Sequence, residues 1–360
     1  MTPKTLASLR RKVDQADNKI LTALMERAAV VSDIGRLKNQ RGDPVLVAGR
    51  ERDLVNRLLA LNTSPLPAES VEDIFNTIIN HFRLLQKQIT VAYFGPEASY
   101  THQAAVKHFG KACALVGEKS IADVFATVDS GRADYGVVPI ENSTEGVVNH
   151  TLDMFMESDL RICAERQDFI SHCLLRAPGS SKKITSVLSH PQALAQCRQW
   201  LESHMTGVPL IPTASTSDAA AQAALHDDVA AVASPLAASL YHLSTMAQAI
   251  QDIKENRTRF LIVGKTLSAP SSKGQDKTSL LISVQDRVGA LHDLLAVFKK
   301  ARVNLTKIES RPTKQKAWQY VFFIDILGHA QDPRLQPVLK KLAASCPMVK
   351  ILGSYPKADE

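Results

Sequence analysis

The chain has 360 residues, 43 Lys and Arg against 36 Asp and Glu, a formal charge of +7, and 45% hydrophobic residues. That length accommodates two or three domains, each able to bury a core, and the composition excludes a disordered polyelectrolyte or a fibrous protein. No apolar run approaches the roughly 18–20 residues of a membrane span, and the amino-terminal MTPKTLASLRRKVDQAD has no apolar signal-peptide core.

The five cysteines (Cys113, Cys163, Cys173, Cys197 and Cys346) show no C-x-x-C spacing and read as free thiols, so a cytoplasmic protein is expected. Residues 1–90 carry 14 basic and 10 acidic residues and read as helical. From Leu6 to Lys38 there is no Pro and one Gly, Gly35, and apolar residues recur at three- and four-residue steps. The RGDP break at Arg41–Pro44 ends this helix. A second runs from about Gly49 to Leu61, and Ala68 to Gln88 reads as a third. Three helices with one long arm do not easily enclose a core, which argues for oligomerisation.

Two columns stepping by seven form the apolar stripe of the first helix: Leu6, Val13, Ile20, Arg27, Ile34, and Arg10, Asp17, Leu24, Val31, Lys38. Cations on such a stripe are costly unless they snorkel, pair with Asp17 or Glu51, or meet an anionic ligand. Arg27 and Lys38 lie about 16 Å apart along a helix and can converge on a small dianion. Arg10, about 26 Å from Arg27, can share that ligand only from a second subunit. The pattern predicts an intertwined homodimer with two dicarboxylate sites.

LASLRRKVDQADNKILTALMER, GRLK, GRERDLV and LLQKQ resemble the all-helical chorismate mutase domain. The resemblance places that family's substrate-binding cations on Arg10, Arg27, Lys38 and Arg50, its carboxylate on Glu51 and its final helix glutamine on Gln86. It implies that Lys38 and Gln86 donate to the ether oxygen as the C–O bond breaks, catalysis by positioning and electrostatics without a cofactor. Two positions depart from the family pattern: Val47 stands where an acidic residue is common, and Phe82 where a small hydroxyl residue is frequent.

At Ile89 the pattern changes. Residues 91–270 carry 14 basic and 18 acidic residues, and ITVAYFG, YGVVPI, ITSVLS, VAAVAS and FLIVG read as strands alternating with helices. An α/β domain with a largely parallel sheet is expected. GPEASYTHQAA, GVVPIENSTEGVV and ENRTRFLIVG set hydroxyl and amide side chains at strand ends, either as ordinary helix caps or as ligand contacts. Neither a Walker nor a dinucleotide loop occurs. His102, His150, His172 and His190 lack metal-ligand spacing and read as structural or surface groups, so no metal is expected.

Taken in order with SHPQALAQC, STSDAA and AAVASPLAASLYHL, these strings resemble prephenate dehydratase. The reaction implied is decarboxylation of prephenate with loss of its ring hydroxyl, so the site must donate to a departing hydroxide. The resemblance assigns the essential threonine to Thr258 and catalytic or binding roles to Asn142 and Gln196. Ser99, Thr101, Ser143 and Thr144 become substrate-binding candidates, and Arg259 a carboxylate partner or domain anchor.

After the polar linker TLSAPSSKGQDK, residues 271–360 carry 15 basic and 8 acidic residues in a strand-helix-strand-strand-helix-strand order, a ferredoxin-like βαββαβ unit. VGALHDLL and IESRP resemble an ACT domain of the phenylalanine-binding kind. The resemblance implies that Gly289, Ala290, Leu291 and His292, with Glu309, Ser310, Arg311 and Pro312 across a subunit interface, bind L-phenylalanine and inhibit the enzyme. Lys299, Lys300, Lys314, Lys316, Lys340 and Lys341 read as solvated faces, and without an aromatic or reading motif the basicity does not indicate nucleic acid.

The expectation is a multidomain α and α/β enzyme: a helical mutase domain at 1–90, a two-lobed dehydratase domain at 91–266 and an ACT domain at 277–360. Its ligands would be chorismate, prephenate and L-phenylalanine, with no membrane partner. Two rival readings are an arogenate-preferring dehydratase with a weakened mutase domain, and a non-enzymatic solute-binding sensor.

Overall fold

The computed structural model describes residues 5–41, 43, 46–271, 274–312 and 320–358. Gly42 and Pro44 of the expected helix break, and Lys314 and Lys316, lie outside the described residues. The chain divides into two compact units, residues 1–47 with 54–89, and residues 48–53 with 90–360.

Helices α1 (Leu6–Arg41), α2 (Ala48–Leu61) and α3 (Ala68–Leu84) occupy the positions that periodicity predicts. Lys38 and Arg41 in the last turn of α1 complement its carbonyl end. Within the first unit, α1 buries only Val31 and Gly35 among its residues, while Leu6, Val13, Ile20, Leu21 and Met25 are exposed. An added Cβ at Gly35 would sit 2.6 Å from Gln86 Cα, so the glycine sets how closely α1 meets that turn. Helix α3 ends before Gln86, not beyond it. Leu85 N–H turns to Phe82 O (3.2 Å) and Gln86 N–H to Arg83 O (3.0 Å), three-residue bonds that tighten and stop the helix.

The second unit begins its first lobe with β1 (Thr90–Phe94), α4 (Tyr100–Phe109), β2 (Ala114–Glu118), α5 (Ile121–Asp129), β3 (Tyr135–Asn142), β4 (Gly146–Val147), α6 (Asn149–Glu157) and β5 (Arg161–Phe169). The chain then crosses to a second lobe: β6 (Cys173–Arg176), β7 (Ser186–Ser189), α7 (Pro191–Gln196), α8 (Arg198–His204), β8 (Leu210–Pro212), α9 (Thr216–Leu225), β9 (Val229–Ala233), α10 (Pro235–Leu240) and β10 (Ser244–Ala247). It returns as β11 (Arg257–Gly264).

The first-lobe sheet has order β2-β1-β3-β11-β5 and the second β10-β6-β9-β7-β8. Both are mixed, not largely parallel. β11 lies antiparallel to β3 and β5 because the returning chain runs back between them, and β6 pairs antiparallel with β9 and β10. Buried Val187, Leu174, Ala230, Val232 and Leu201 anchor the second lobe.

The remaining elements are β12 (Asp276–Ser283), α11 (Ala290–Lys300), β13 (Leu305–Pro312), β14 (Tyr320–Leu327), α12 (Gln336–Ser345) and β15 (Met348–Pro356). They form the expected βαββαβ unit, an antiparallel sheet ordered β13-β14-β12-β15. One face packs on α11 and α12 through Leu280, Ile282, Leu294, Phe298, Ile324 and Leu342. The other contributes Leu281, Val321, Phe323, Leu352 and Tyr355 to the core of the first lobe, beside Val138, Phe155, Ile162 and Leu261. At about 25 cal/mol per Å2 of apolar surface removed from water, this burial helps hold the sheet against the lobe.

Candidate active sites

In the helical unit, burial lowers the pKa of Arg27, whose guanidinium lies 4.4 Å from the centre of the Phe82 ring. Phe82 thus gives Arg27 a cation–π partner where a hydroxyl would give a hydrogen bond. Among the described residues, Arg27 Nη1 and Gln86 Oε1 are both buried without a hydrogen-bond partner. Such groups are costly unless a ligand meets them. Asn39 Nδ2 donates to the Gln86 carbonyl (3.2 Å), tying this turn to α1. Arg10 is exposed on α1, Lys38 is in its last turn, and Arg50 and Glu51 stand in the first turn of α2.

The second site forms where the chain crosses between the lobes. Thr258, 8% exposed on β11, pairs in register with Asn142 at the end of β3. Asn142 Nδ2 donates to Thr258 Oγ1 (2.8 Å) and to Asn256 Oδ1 (2.8 Å). Asn142 Oδ1 accepts from Thr144 N–H (2.9 Å), Thr144 Oγ1–H (2.6 Å) and Glu145 N–H (3.0 Å), which fixes the orientation of its amide. Asn256 Nδ2 donates to Gln196 Oε1 (3.1 Å), and Gln196 Nε2 donates to Glu145 Oε1 (3.2 Å). Gln196 Oε1 also lies 3.0 Å from His172 Nε2, and His172 Nδ1 lies 2.8 Å from the Tyr100 hydroxyl. Burial raises the Tyr100 phenol well above its ordinary value and lowers the His172 imidazolium, so both are neutral near pH 7.

Thr258, Asn142 and Gln196 therefore meet in one network, with Thr144 as a brace. Ser143 instead stitches the returning chain, accepting from Arg257 N–H (2.9 Å) and donating to Glu255 O (3.3 Å). Ser99 caps α4, accepting from His102 N–H (3.2 Å). Thr101 is buried in the first turn of α4.

Of the two readings given for Arg259, its contacts in the chain are those of a domain anchor. Successive residues on a strand face opposite ways, and its guanidinium meets Glu165 (2.7 Å), Asp325 (2.8 Å) and the Tyr355 hydroxyl (3.0 Å) behind the sheet. Lys277 also meets Glu165, at 2.9 Å.

Gly289, at φ 80°, precedes α11, whose first turn contains Ala290, Leu291 and the exposed His292. Glu309, Ser310, Arg311 and Pro312 lie on the sheet-edge strand β13. The Arg311 side chain is engaged within the chain, donating to Asp153 of α6 (2.8 Å). Two residues before Glu309, Lys307 donates to Glu141 of β3 (2.6 Å).

A family model for chorismate mutase type II matches residues 9–87, one for prephenate dehydratase residues 91–267, and one for the ACT domain residues 278–344. A bifunctional chorismate mutase/prephenate dehydratase of Aquifex aeolicus is 46% identical over 358 residues, 98% of each chain. The chain belongs to this family.

The Pseudomonas aeruginosa bifunctional chorismate mutase/prephenate dehydratase is 42% identical over 359 residues, again 98% of each chain. Among solved structures, the Arthrobacter aurescens prephenate dehydratase in complex with L-Phe is 35% identical with a TM-score of 0.68, covering 75% of this chain and 90% of its own. GqqA, described as a novel type of quorum quenching acylase, is 29% identical with a TM-score of 0.67, covering 74% and 97%. One scaffold thus carries differently named activities, and function must be argued from site residues.

As a member of this family the chain is an enzyme, and its three-part α and α/β architecture matches the expectation. Among the described residues no helix is long and apolar enough to cross a membrane. Sequence reasoning missed Tyr100, Glu145, His172 and Asn256. Asn256 had a usable signal, since it stands two positions before Thr258 and shares its side of extended chain. His172 had none, because its partners come from α4 and α7.

Proposed function

We propose that the helical domain (1–90) rearranges chorismate to prephenate and the two-lobed domain (91–266) dehydrates prephenate to phenylpyruvate, with the ACT domain (277–360) conferring feedback inhibition by L-phenylalanine. In the first reaction Arg27, Lys38 and Arg50 hold the two carboxylates, aided by Arg10 from a second copy, with Glu51 completing the contacts. Gln86 and Lys38 donate to the breaking ether. The exposed apolar residues of α1 support a homodimer, and the buried donor Arg27 Nη1, without a hydrogen-bond partner among the described residues, supports an anionic ligand.

One observation carries the dehydratase reading: the Asn142 amide is oriented so that Thr258 Oγ1 accepts, leaving the Thr258 proton free to donate. As the C–COO bond of prephenate breaks, its electron pair moves into the ring and the C–OH bond breaks. Thr258 O–H donates to the departing oxygen, which leaves as water after protonation from solvent, and Asn142 and Gln196 hold the substrate.

Inhibition is supported by ion pairs joining the ACT sheet to both catalytic strands. Glu141 precedes Asn142 and pairs with Lys307; Arg259 follows Thr258 and pairs with Asp325. L-phenylalanine held by the α11 turn and β13 can bias those strands through these links. The Arthrobacter complex with L-Phe and the free cysteines support this ligand and a cytoplasmic site, respectively. A coupled assay tests the whole reading: chorismate should yield phenylpyruvate, less of it with L-phenylalanine present, and none of it if the reading is wrong.

A further inference from the structure

Every amide between Thr258 and Tyr100 has one permitted orientation, and His172 is where that order is enforced from outside the substrate-facing groups. The Glu145 carboxylate can only accept, so it takes Gln196 Nε2 (3.2 Å) and leaves Gln196 Oε1 facing inward. That oxygen has two neighbours, Asn256 Nδ2 (3.1 Å) and His172 Nε2 (3.0 Å), and both must donate. The neutral imidazole, 2% exposed, then carries its hydrogen on Nε2 and keeps Nδ1 as an acceptor, 2.8 Å from the Tyr100 hydroxyl, which also lies 3.0 Å from the Ser171 carbonyl oxygen.

The opposite tautomer would set the lone pair of His172 Nε2 against that of Gln196 Oε1. Turning the Gln196 amide over relieves this but sets Nε2 against Asn256 Nδ2, donor to donor. Turning Asn256 in its place carries the conflict to Asn142, whose Oδ1 is already held by three donors. With Asn142 reversed, Thr258 would donate inward to its amide oxygen and lose the proton that is otherwise free to donate.

We propose that His172, its tautomer set by Gln196 Oε1, is a positioning residue for the dehydration: its Nε2–H supports the direction of the hydrogen-bond chain that ends in an outward-donating Thr258. This rests on the dehydratase reading of the site. His172 touches no reacting atom; it acts through Gln196, Asn256 and Asn142.

The test uses the full chain, with mutase turnover in the same molecule as a fold control. His172→Phe removes the donor, whereas His172→Gln sets an N–H near the position of Nε2. We expect His172→Phe to lower dehydratase kcat by about 30-fold with KM for prephenate within about twofold, and His172→Gln to recover to within about fivefold of the parent. Tyr100→Phe, a milder change should His172→Phe not fold, is expected to lower kcat by about three- to tenfold, again with KM unchanged. The proposal is overturned if His172→Phe keeps the parent kcat, if its defect lies in KM, or if His172→Gln is no better than His172→Phe. A parent chain that forms no phenylpyruvate from prephenate overturns the site reading itself, an outcome distinct from an active parent with an unaffected His172→Phe.

Discussion

Thr258 and Arg259 are consecutive on β11 yet serve opposite sides of the sheet, the first bonded to Asn142 and the second to Glu165 and Asp325. Truncating Arg259 would leave two buried carboxylates with less compensation. Arg259→Ala is expected to cost about 3–5 kcal/mol of stability, read as a lowered urea midpoint, with the mutase reaction still measurable in the folded fraction. A midpoint equal to the parent's would show that the anchor is dispensable.

Removing the outward-donating hydroxyl tests the other face. Thr258→Ala is expected to lower dehydratase kcat about 100-fold or more, the loss of a donor to developing negative charge, while chorismate turnover is unchanged. Near-parental phenylpyruvate formation would rule out the role given to Thr258.

The link between Lys307 and Glu141 (2.6 Å) joins the ACT sheet to the strand bearing Asn142. Lys307→Met is expected to raise the half-inhibitory L-phenylalanine concentration about five- to tenfold at similar uninhibited rate, since allosteric couplings are typically worth 1–3 kcal/mol. An unchanged inhibition curve would remove this pair from the coupling.

Gly35→Ala must push the Gln86 backbone away, because the new Cβ would sit 2.6 Å from its Cα. A displacement of that kind should lower mutase kcat by about tenfold or more without touching the dehydratase. Equal loss of both activities would point to general unfolding.

His102 and His172 are both held below the ordinary value of 6.5, each mainly by burial. The unfolded chain takes up protons at these residues near pH 6.5, the folded chain only at lower pH. Stability is therefore full above pH 6.5 and declines as pH falls through the folded values. Tm measured from pH 7.5 to 5 should fall for the parent and fall less steeply for His172→Gln, whereas an identical slope would contradict the assignment.

Much of this was legible in the order of residues. The period of α1, the βαββαβ string and the cations on an apolar stripe each follow from local pattern, and family likeness singled out Thr258, Asn142 and Gln196. Arg259 shows where motif reading stops, because a contiguous Thr-Arg-Phe string is split by strand alternation into two faces with different partners. The mixed sheet was hidden for another reason. Alternating strands and helices suggest parallel pairing, and only the chain's return as β11 makes the middle of the sheet antiparallel.

That return has a bearing on how the protein is made. The second lobe is one uninterrupted stretch, β6 to β10, so all five of its strands exist once residue 247 has left the ribosome. The first lobe at that moment still lacks β11, the strand between β3 and β5. During synthesis the lobe begun later is the one ready to fold first, and the strand carrying Thr258 completes the earlier lobe as a final insertion.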